Sequence, residues 1–94
     1  MYQLKSYHII FTKAARKDLD SINEKDSKKI SNKIDLLIED TKNLDIKKIS
    51  GSKEPTYRLR YGDYRVIFEI HNQEITILII RIGHRKAVYK RRGY

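Results

Sequence analysis

The chain has 94 residues, and its 21 Lys and Arg against 12 Asp and Glu give a net charge of +9. This length fits one domain, and the absence of cysteine excludes disulfide scaffolds, thiolate metal sites and cysteine nucleophiles. The amino terminus lacks the apolar segment of a secretory signal, and the longest apolar run, Ile75 to Ile80, is too short to span a bilayer. We therefore expect a single cytoplasmic domain over residues 1–94.

The positive charge is concentrated in the second half of the chain. Residues 51–94 hold 10 Lys and Arg against 4 acids (net +6), whereas residues 1–50 hold 11 against 8 (net +3), and seven of the eight arginines lie in the second half. Planar guanidinium groups match phosphate geometry better than ammonium groups do. This distribution favours a nucleic-acid partner, and the alternative is basicity that serves solubility alone.

The first half predicts a strand followed by two helices. "YHIIFT", Tyr7 to Thr12, is β-branched and aromatic, and Thr12 is placed to cap a helix that follows. Two amphipathic helices are expected, the second capped by Ser27, with a short polar joint at 23–26 that makes them antiparallel. Their apolar faces contain Ala15, Leu19 and Ile22 in the first helix and Ile30, Ile34, Leu37 and Ile38 in the second.

The second half predicts a loop and then a three-stranded meander. The segment Thr41 to Pro55 has no sustained period and is expected to be a loop. "TYRLRY", "YRVIFEI" and "EITILIIRI" follow as strands, and the residues after Gly83 form a short helix or an ordered tail. The predicted fold class is α+β, in the order βααβββ, with two amino-terminal helices packed on a mostly antiparallel four-stranded sheet.

The hairpin "YRLRYGDYR" is the first candidate site. A two-residue turn at Gly62-Asp63 would place Arg60 opposite Arg65 and put Arg58 on the same face of the sheet. Like charges that face each other destabilise a hairpin, so this arrangement indicates a bound anion or acidic neighbours. The alternatives are that Asp63, Glu54 or Glu69 neutralises the arginines, or that one arginine points to solvent.

A second cluster follows the last strand and consists of Arg81, His84, Arg85, Lys86 and Tyr89. Taken singly, His84 is typical of a surface histidine and Tyr89 of a core aromatic. The acids are dispersed, the histidines at 8, 71 and 84 lack ligand spacing, and no glycine-rich phosphate loop or nucleophile elbow occurs. No metal or cofactor is therefore predicted. A set of arginines with a histidine and a tyrosine suits transphosphorylation of RNA, in which the 2′-hydroxyl of the substrate is the nucleophile.

The block "YRLRYGDYRVIFEI" followed by "ITILIIRIGHRKAVYK", behind a strand and a helical pair, resembles the RelE/ParE toxin superfamily. The resemblance covers nearly the whole chain. It implies two helices packed on an antiparallel sheet, and a toxin partnered by an antitoxin that wraps it with a flexible segment. In the RelE-like branch it implies metal-free cleavage of messenger RNA in the decoding site of the ribosome.

The resemblance also implies roles for individual residues. Arg65 corresponds to the arginine that contacts the scissile phosphate, Arg85 to the one that stabilises transition-state charge, and Tyr89 to the tyrosine that orients the target nucleotide. Arg58 and Arg60 stand where some RelE enzymes have a pair of lysines, one of them proposed as the general base. An arginine remains protonated, so this pair is expected to bind phosphate and not to accept a proton.

Proton transfer is then expected to fall to His84, because imidazole exchanges protons near neutral pH. Replacing it by alanine is expected to cost rate more than binding. Arg81 and Lys86 are expected to bind phosphate. Two other functions remain open: a ParE-like inhibitor of DNA gyrase without nuclease activity, and a basic RNA-binding module with the same fold.

Overall fold

The computed structural model describes residues 4–50 and 54–92, with residues 50 and 89–92 described by their backbone. The elements in chain order are β1 (His8–Phe11), α1 (Lys13–Ser21), α2 (Glu24–Glu39), β2 (Asp45–Ser50), β3 (Thr56–Tyr61), β4 (Tyr64–His71), β5 (Thr76–His84) and α3 (Arg85–Arg92). None of these helices is both long enough and apolar enough to cross a membrane.

The five strands form one sheet in the order β1-β5-β4-β3-β2. β1 pairs in parallel with β5, and the other neighbours pair antiparallel. The predicted α+β class, the antiparallel meander and the short carboxyl-terminal helix are confirmed. The strand number is a correction, because five strands are present where four were predicted.

The additional strand is β2, in the segment that was predicted to be a loop. It pairs with β3, so that Ile46 lies opposite Leu59 and packs against the core. Ile49 is three residues further along and therefore points to the other face of the sheet, where it packs against a second apolar cluster, next to an irregularity of the register between Lys48 and Ser50. The two isoleucines therefore do not alternate with a period of two, and the sequence lacks the usual sign of a strand.

The two amino-terminal helices begin at side-chain caps. Thr12 caps α1 as predicted: its Oγ1 accepts a hydrogen bond from the Ala15 N–H and donates one to the Ile80 carbonyl. The predicted Ser27 cap of α2 is wrong. Asn23 caps that helix instead, because its Oδ1 accepts from the Asp26 N–H while its Nδ2 donates to the Asp26 carboxylate. Most of the expected polar joint therefore forms the first turn of α2.

The main core lies between the sheet and the pair α1 and α2. Leu59, Val66 and Phe68 are buried on the side of the sheet that faces these helices, and Tyr57 stacks on Phe68 with ring centroids 5.6 Å apart. We call this surface of the sheet the helix side. The buried helical residues that it meets are Ala15, Leu19, Ile30, Ile34 and Leu37.

The opposite surface of the sheet carries a smaller apolar cluster. Val88 of α3 packs there against Ile67 and Ile80, with Ile49 and Leu78 at the border. α3 therefore covers part of this surface. The remainder, toward the turn between β3 and β4, carries the charged residues of the candidate site.

Candidate nucleic-acid interface

The turn between β3 and β4 sets the register that was predicted for the hairpin. Gly62 has φ +56°, a left-handed conformation that favours glycine. Tyr61 pairs with Tyr64, and Arg60 pairs with Arg65. These pairings are confirmed.

Alternation along the strands places three arginines on one surface. Leu59 is buried on the helix side, so its neighbours Arg58 and Arg60 point to the opposite surface. Arg65 lies directly across from Arg60 and shares that surface. We call the surface formed by Arg58, Arg60 and Arg65 the arginine face.

The arginine face has one carboxylate neighbour that the sequence analysis missed. Asp45 of β2 lies opposite Arg60 in the register. Its carboxylate oxygens are 3.1 Å from Arg58 Nη1 and 3.7 Å from Arg60 Nη1. Asp45 was missed because β2 was taken for a loop, and only the pairing of β2 with β3 brings its side chain to these arginines.

In the alternative interpretation of the hairpin, Asp63, Glu54 or Glu69 neutralises the arginines, but these acids are arranged differently. Glu69 lies 2.8 Å from His71 Nε2, and Glu54 lies 3.7 Å from His71 Nδ1, at the end of β4 away from the turn. Both carboxylates therefore interact with a histidine. Asp63, in the turn, lies 3.8 Å from Arg85.

Arg65 is held by backbone carbonyl groups. Its Nη1 donates hydrogen bonds to the Gly62 and Tyr64 carbonyls, both at 2.9 Å. Among the described residues, no carboxylate lies within ion-pair distance of this guanidinium. The positive charge is thus fixed in place without being neutralised, which is what a phosphate-binding site requires.

α3 begins against the same turn. The backbone N–H of Arg85 donates to the Asp63 carbonyl at 2.7 Å, and the half-exposed Arg85 side chain lies near the Asp63 carboxylate. Lys86 follows and is exposed. Tyr89 is the residue after Val88 in α3, and its side chain lies outside the described part of the structure.

Arg81 does not join the arginine face, contrary to its predicted place. Its Nε and Nη2 donate to the two carboxylate oxygens of Asp18 in α1, both at 2.9 Å, and the Ile82 N–H donates to the same carboxylate. Asp18 is almost completely buried. Arg81 therefore fixes α1 to β5, and this correction removes it from the phosphate-binding set.

His84 is also placed differently from the prediction. It lies opposite Tyr64 in the β4–β5 register, and the two rings meet edge to face with centroids 6.4 Å apart. Tyr64 packs against the main core, so His84 lies on the helix side, whereas Gly83 lies opposite Arg65. His84 and the arginine face are on opposite surfaces of the sheet.

The structure thus brings together Arg58, Arg60 and Arg65, with Arg85 at the adjoining turn. It separates Arg81 and His84 from them. Among the described residues, no group of three or more His, Asp or Glu side chains is arranged to hold a metal ion. Several fixed guanidinium groups on one surface can hold a phosphate and stabilise negative charge that develops on it.

This fold is shared by a class of small toxins whose structures have been solved. The RelE–RelB complex from Pyrococcus horikoshii is 26% identical, with a TM-score of 0.74 over 87% of this chain and 98% of that one. The RelB–RelE complex from Methanococcus jannaschii is 32% identical, with a TM-score of 0.71 over 88% and 98%. The isolated E. coli RelE toxin, at 17% identity and a TM-score of 0.69 over 92% and 94%, shares the fold.

Sequence comparison leads to the same class. A family described as "ParE toxin of type II toxin-antitoxin system, parDE" matches residues 9–89. Toxin RelE3 of Methanocaldococcus jannaschii is 36% identical over 89 residues, which cover 86% of this chain and 93% of that protein. The chain belongs to the RelE/ParE toxin superfamily, in its RelE-like branch, and is a toxin of the type II toxin–antitoxin class. The family resemblance noted in the sequence is confirmed.

Proposed function

We propose that this toxin cleaves messenger RNA on the ribosome by metal-independent transphosphorylation, and so inhibits translation. The observation that carries the proposal is the arginine face, where Arg58, Arg60 and Arg65 share one surface next to the first residue of α3. Relatives named RelE support it, because the RelE-like branch is the branch in which messenger RNA cleavage was expected from the resemblance.

The reaction transfers a phosphoryl linkage within the substrate. The 2′ oxygen forms a bond to phosphorus, the bond from phosphorus to the 5′ oxygen breaks, and a cyclic phosphate and a 5′-hydroxyl result. One proton leaves the 2′ oxygen and one reaches the 5′ oxygen. The protein must align the strand and stabilise the charge on the pentacoordinate phosphorus.

Arg65 and Arg85 are the residues to which we assign charge stabilisation. Arg65 is fixed by carbonyl groups and has no carboxylate partner in the described part of the chain, so its charge is available to a phosphate. Arg85 is exposed beside the turn that precedes Arg65. Arg58, Arg60 and Lys86 bind neighbouring phosphates in this proposal, and Tyr89 orients the nucleotide as the resemblance implies.

His84 is left out of this catalytic set. Its ring lies on the helix side of the sheet, edge to face with Tyr64, while the phosphate-binding groups lie on the other surface. A proton acceptor must be within hydrogen-bond reach of the 2′-hydroxyl, directly or through one water. A strand bound to the arginine face does not bring its reacting ribose to His84.

A cognate antitoxin is the protein partner in this proposal. The solved structures from Pyrococcus horikoshii and Methanococcus jannaschii are complexes of RelE with RelB. An acidic or extended antitoxin segment over the arginine face would cover the charges that bind RNA. Ribosome and messenger RNA are the other partners, and the site of action is the cytoplasm.

Primer extension on translating messages tests the proposal, with wild-type protein, Arg65→Ala and Arg85→Ala compared. We expect breaks at fixed codon positions with wild-type protein and at least about a hundredfold slower cleavage with each variant, the usual cost of losing one transition-state donor. Lys25→Ala, on the exposed surface of α2, is the matched control for charge. Intact messages with wild-type protein on active ribosomes would overturn the proposal.

Gyrase inhibition is the second candidate, and the family description that names ParE favours it. The replacement of the lysine pair by Arg58 and Arg60 also fits a binding protein better than an enzyme, because neither arginine can act as a base. A supercoiling assay run beside primer extension separates the two functions. Loss of supercoiling with intact messages would favour gyrase as the target.

A further inference from the structure

β2 places a lysine beside the arginine face. Lys47 pairs with Arg58, and Asp45, two residues earlier on the same strand, already contacts Arg58 and Arg60. Side chains two residues apart on a strand share a face. Lys47 therefore points to the same surface of the sheet as the three arginines.

The neighbours of Lys47 confirm this orientation. Ile46 packs against the main core with Leu59, so it points to the helix side, and Lys47 must point away from it. Lys48 has the parity of Ile46, and it lies opposite Tyr57, which also packs against the main core. Lys47 and Lys48 are thus adjacent, equally charged and both exposed, yet they lie on opposite surfaces of the sheet.

We infer that Lys47 is an RNA-binding residue and that the RNA backbone crosses the β-strands from α3 toward β2. This inference rests on the proposed function. Arg85 stands at one end of this line and Lys47 at the other, with the arginine face between them. The distance from β4 to β2 is two inter-strand spacings, about 10 Å, so this surface spans more than one phosphate group.

An RNA strand that ran parallel to β3 would not use Lys47 in this way. It would pass Arg60 and Arg58 and then reach Thr56, which pairs with Glu69, so the next group on this path carries a negative charge. Among the described residues, Lys47 on β2 and Arg65 on β4 extend the cationic surface across the strands, on either side of Arg58 and Arg60. Among the described residues, Asp45 and Asp63 are the carboxylates in ion-pair contact with these cations, which are Lys47, Arg58, Arg60, Arg65 and Arg85, so the surface keeps a net positive charge.

The test is the salt dependence of RNA binding, measured by fluorescence anisotropy with a labelled single-stranded RNA whose 2′-O-methyl groups prevent cleavage. Each phosphate that a cation neutralises contributes about 0.7 to the slope of log K against log salt. We expect Lys47→Ala to lower that slope by about 0.7 and the affinity at 0.1 M salt by about fivefold. Lys47→Arg should restore both values.

Lys48→Ala is the matched control and should bind as the wild type does. Equal losses in Lys47→Ala and Lys48→Ala would overturn the inference, because overall charge would then explain both, and an unchanged Lys47→Ala would overturn it as well. If Arg65→Ala weakens binding while Lys47→Ala does not, only the role of Lys47 fails. If the wild-type protein does not bind the RNA, the inference about Lys47 is overturned, whereas the proposed function is decided separately by primer extension on translating messages. Thermal melts of each variant verify that folding is intact.

Discussion

The two surfaces of the sheet have different roles, although the same strands supply the residues of both. On the helix side, Leu59, Val66 and Phe68 are buried under α1 and α2. On the other surface, the residues that alternate with them include Arg58, Arg60 and Arg65. Since β3 and β4 each supply residues to both surfaces, a change of a single residue position moves a substitution from the stabilising surface to the binding surface.

The two regions also differ in how their charged side chains are paired. On the side of α1, the buried Asp18 carboxylate is satisfied by the Arg81 guanidinium and the Ile82 N–H. On the arginine face, Arg65 is oriented by carbonyl groups and keeps its charge. The first arrangement stabilises the fold, whereas the second leaves charge available to a ligand.

The largest expected effect is at Asp18, because its removal leaves Arg81 and a backbone N–H without their acceptor. Asp18→Ala should lower the free energy of unfolding by about 3–5 kcal/mol, the usual cost of removing one partner of a buried ion pair. Urea denaturation followed by circular dichroism measures it. A change below about 1 kcal/mol, the value typical of surface pairs, would contradict the structural role given to this contact.

Leu59 and Arg60 are adjacent in β3 and point to opposite surfaces, so substitutions at these two positions compare the surfaces. Leu59→Ala should cost about 2–5 kcal/mol of unfolding free energy, as truncations in a packed core do. Arg60→Ala should change the unfolding free energy by less than about 0.5 kcal/mol but weaken RNA binding about fivefold at 0.1 M salt. Denaturation and anisotropy on both variants measure these effects. Comparable losses of unfolding free energy in the two variants would contradict the division into a stabilising surface and a binding surface.

Asp45 tests whether a carboxylate competes with RNA for the arginines. Asp45→Asn should raise RNA affinity by about two- to fivefold, because it removes a negative charge from the surface that phosphates approach. The unfolding free energy should change by less than about 1 kcal/mol, since the pair is partly exposed. Asp20→Asn, on the exposed side of α1, is the control. Weaker binding in Asp45→Asn would show that Asp45 orients the arginines instead of competing for them.

The smallest effect is expected at His84. His84→Ala should cleave within about threefold of the wild-type rate, well below the 10²–10⁴ that a general base contributes. Primer extension under the conditions used for Arg85→Ala provides the measurement. A loss of a hundredfold or more would return His84 to the role of proton acceptor that the sequence first indicated.

Local signals in the sequence were sufficient to predict the register of the β3–β4 hairpin and the start of the first helix. The Gly62-Asp63 turn determines its own register, and Thr12 is a good cap because its hydroxyl reaches the Ala15 N–H three residues later. β2 was missed because its two isoleucines, Ile46 and Ile49, are three residues apart and lie on opposite surfaces, so the segment lacks the apolar alternation that identifies a strand.

The positions of His84 and Arg81 depend on features that local patterns do not contain. Ile67 pairs with Arg81, but Phe68 pairs with Ile79, so Ile80 is an extra residue in β5. If the register between Phe68 and Ile79 had continued to the start of β4, His84 would lie on the same surface as Arg65. The extra residue forms a bulge that moves His84 to the surface of Tyr64. Arg81 turns to Asp18, 63 residues away in sequence, and this contact follows only from the packing of α1 on β5.

A map of the RNA-binding surface tests the central claim most directly. A ¹⁵N-labelled sample of this toxin would be titrated with the 2′-O-methyl RNA and followed by NMR chemical shifts. We expect the largest changes at the backbone amides of 45–47, 58–60, 65 and 85. Changes concentrated instead on the exposed lysines of α1 and α2, with the arginine face unaffected, would contradict the claim that this surface of the sheet binds RNA; those lysines are Lys13, Lys17, Lys25, Lys28 and Lys29.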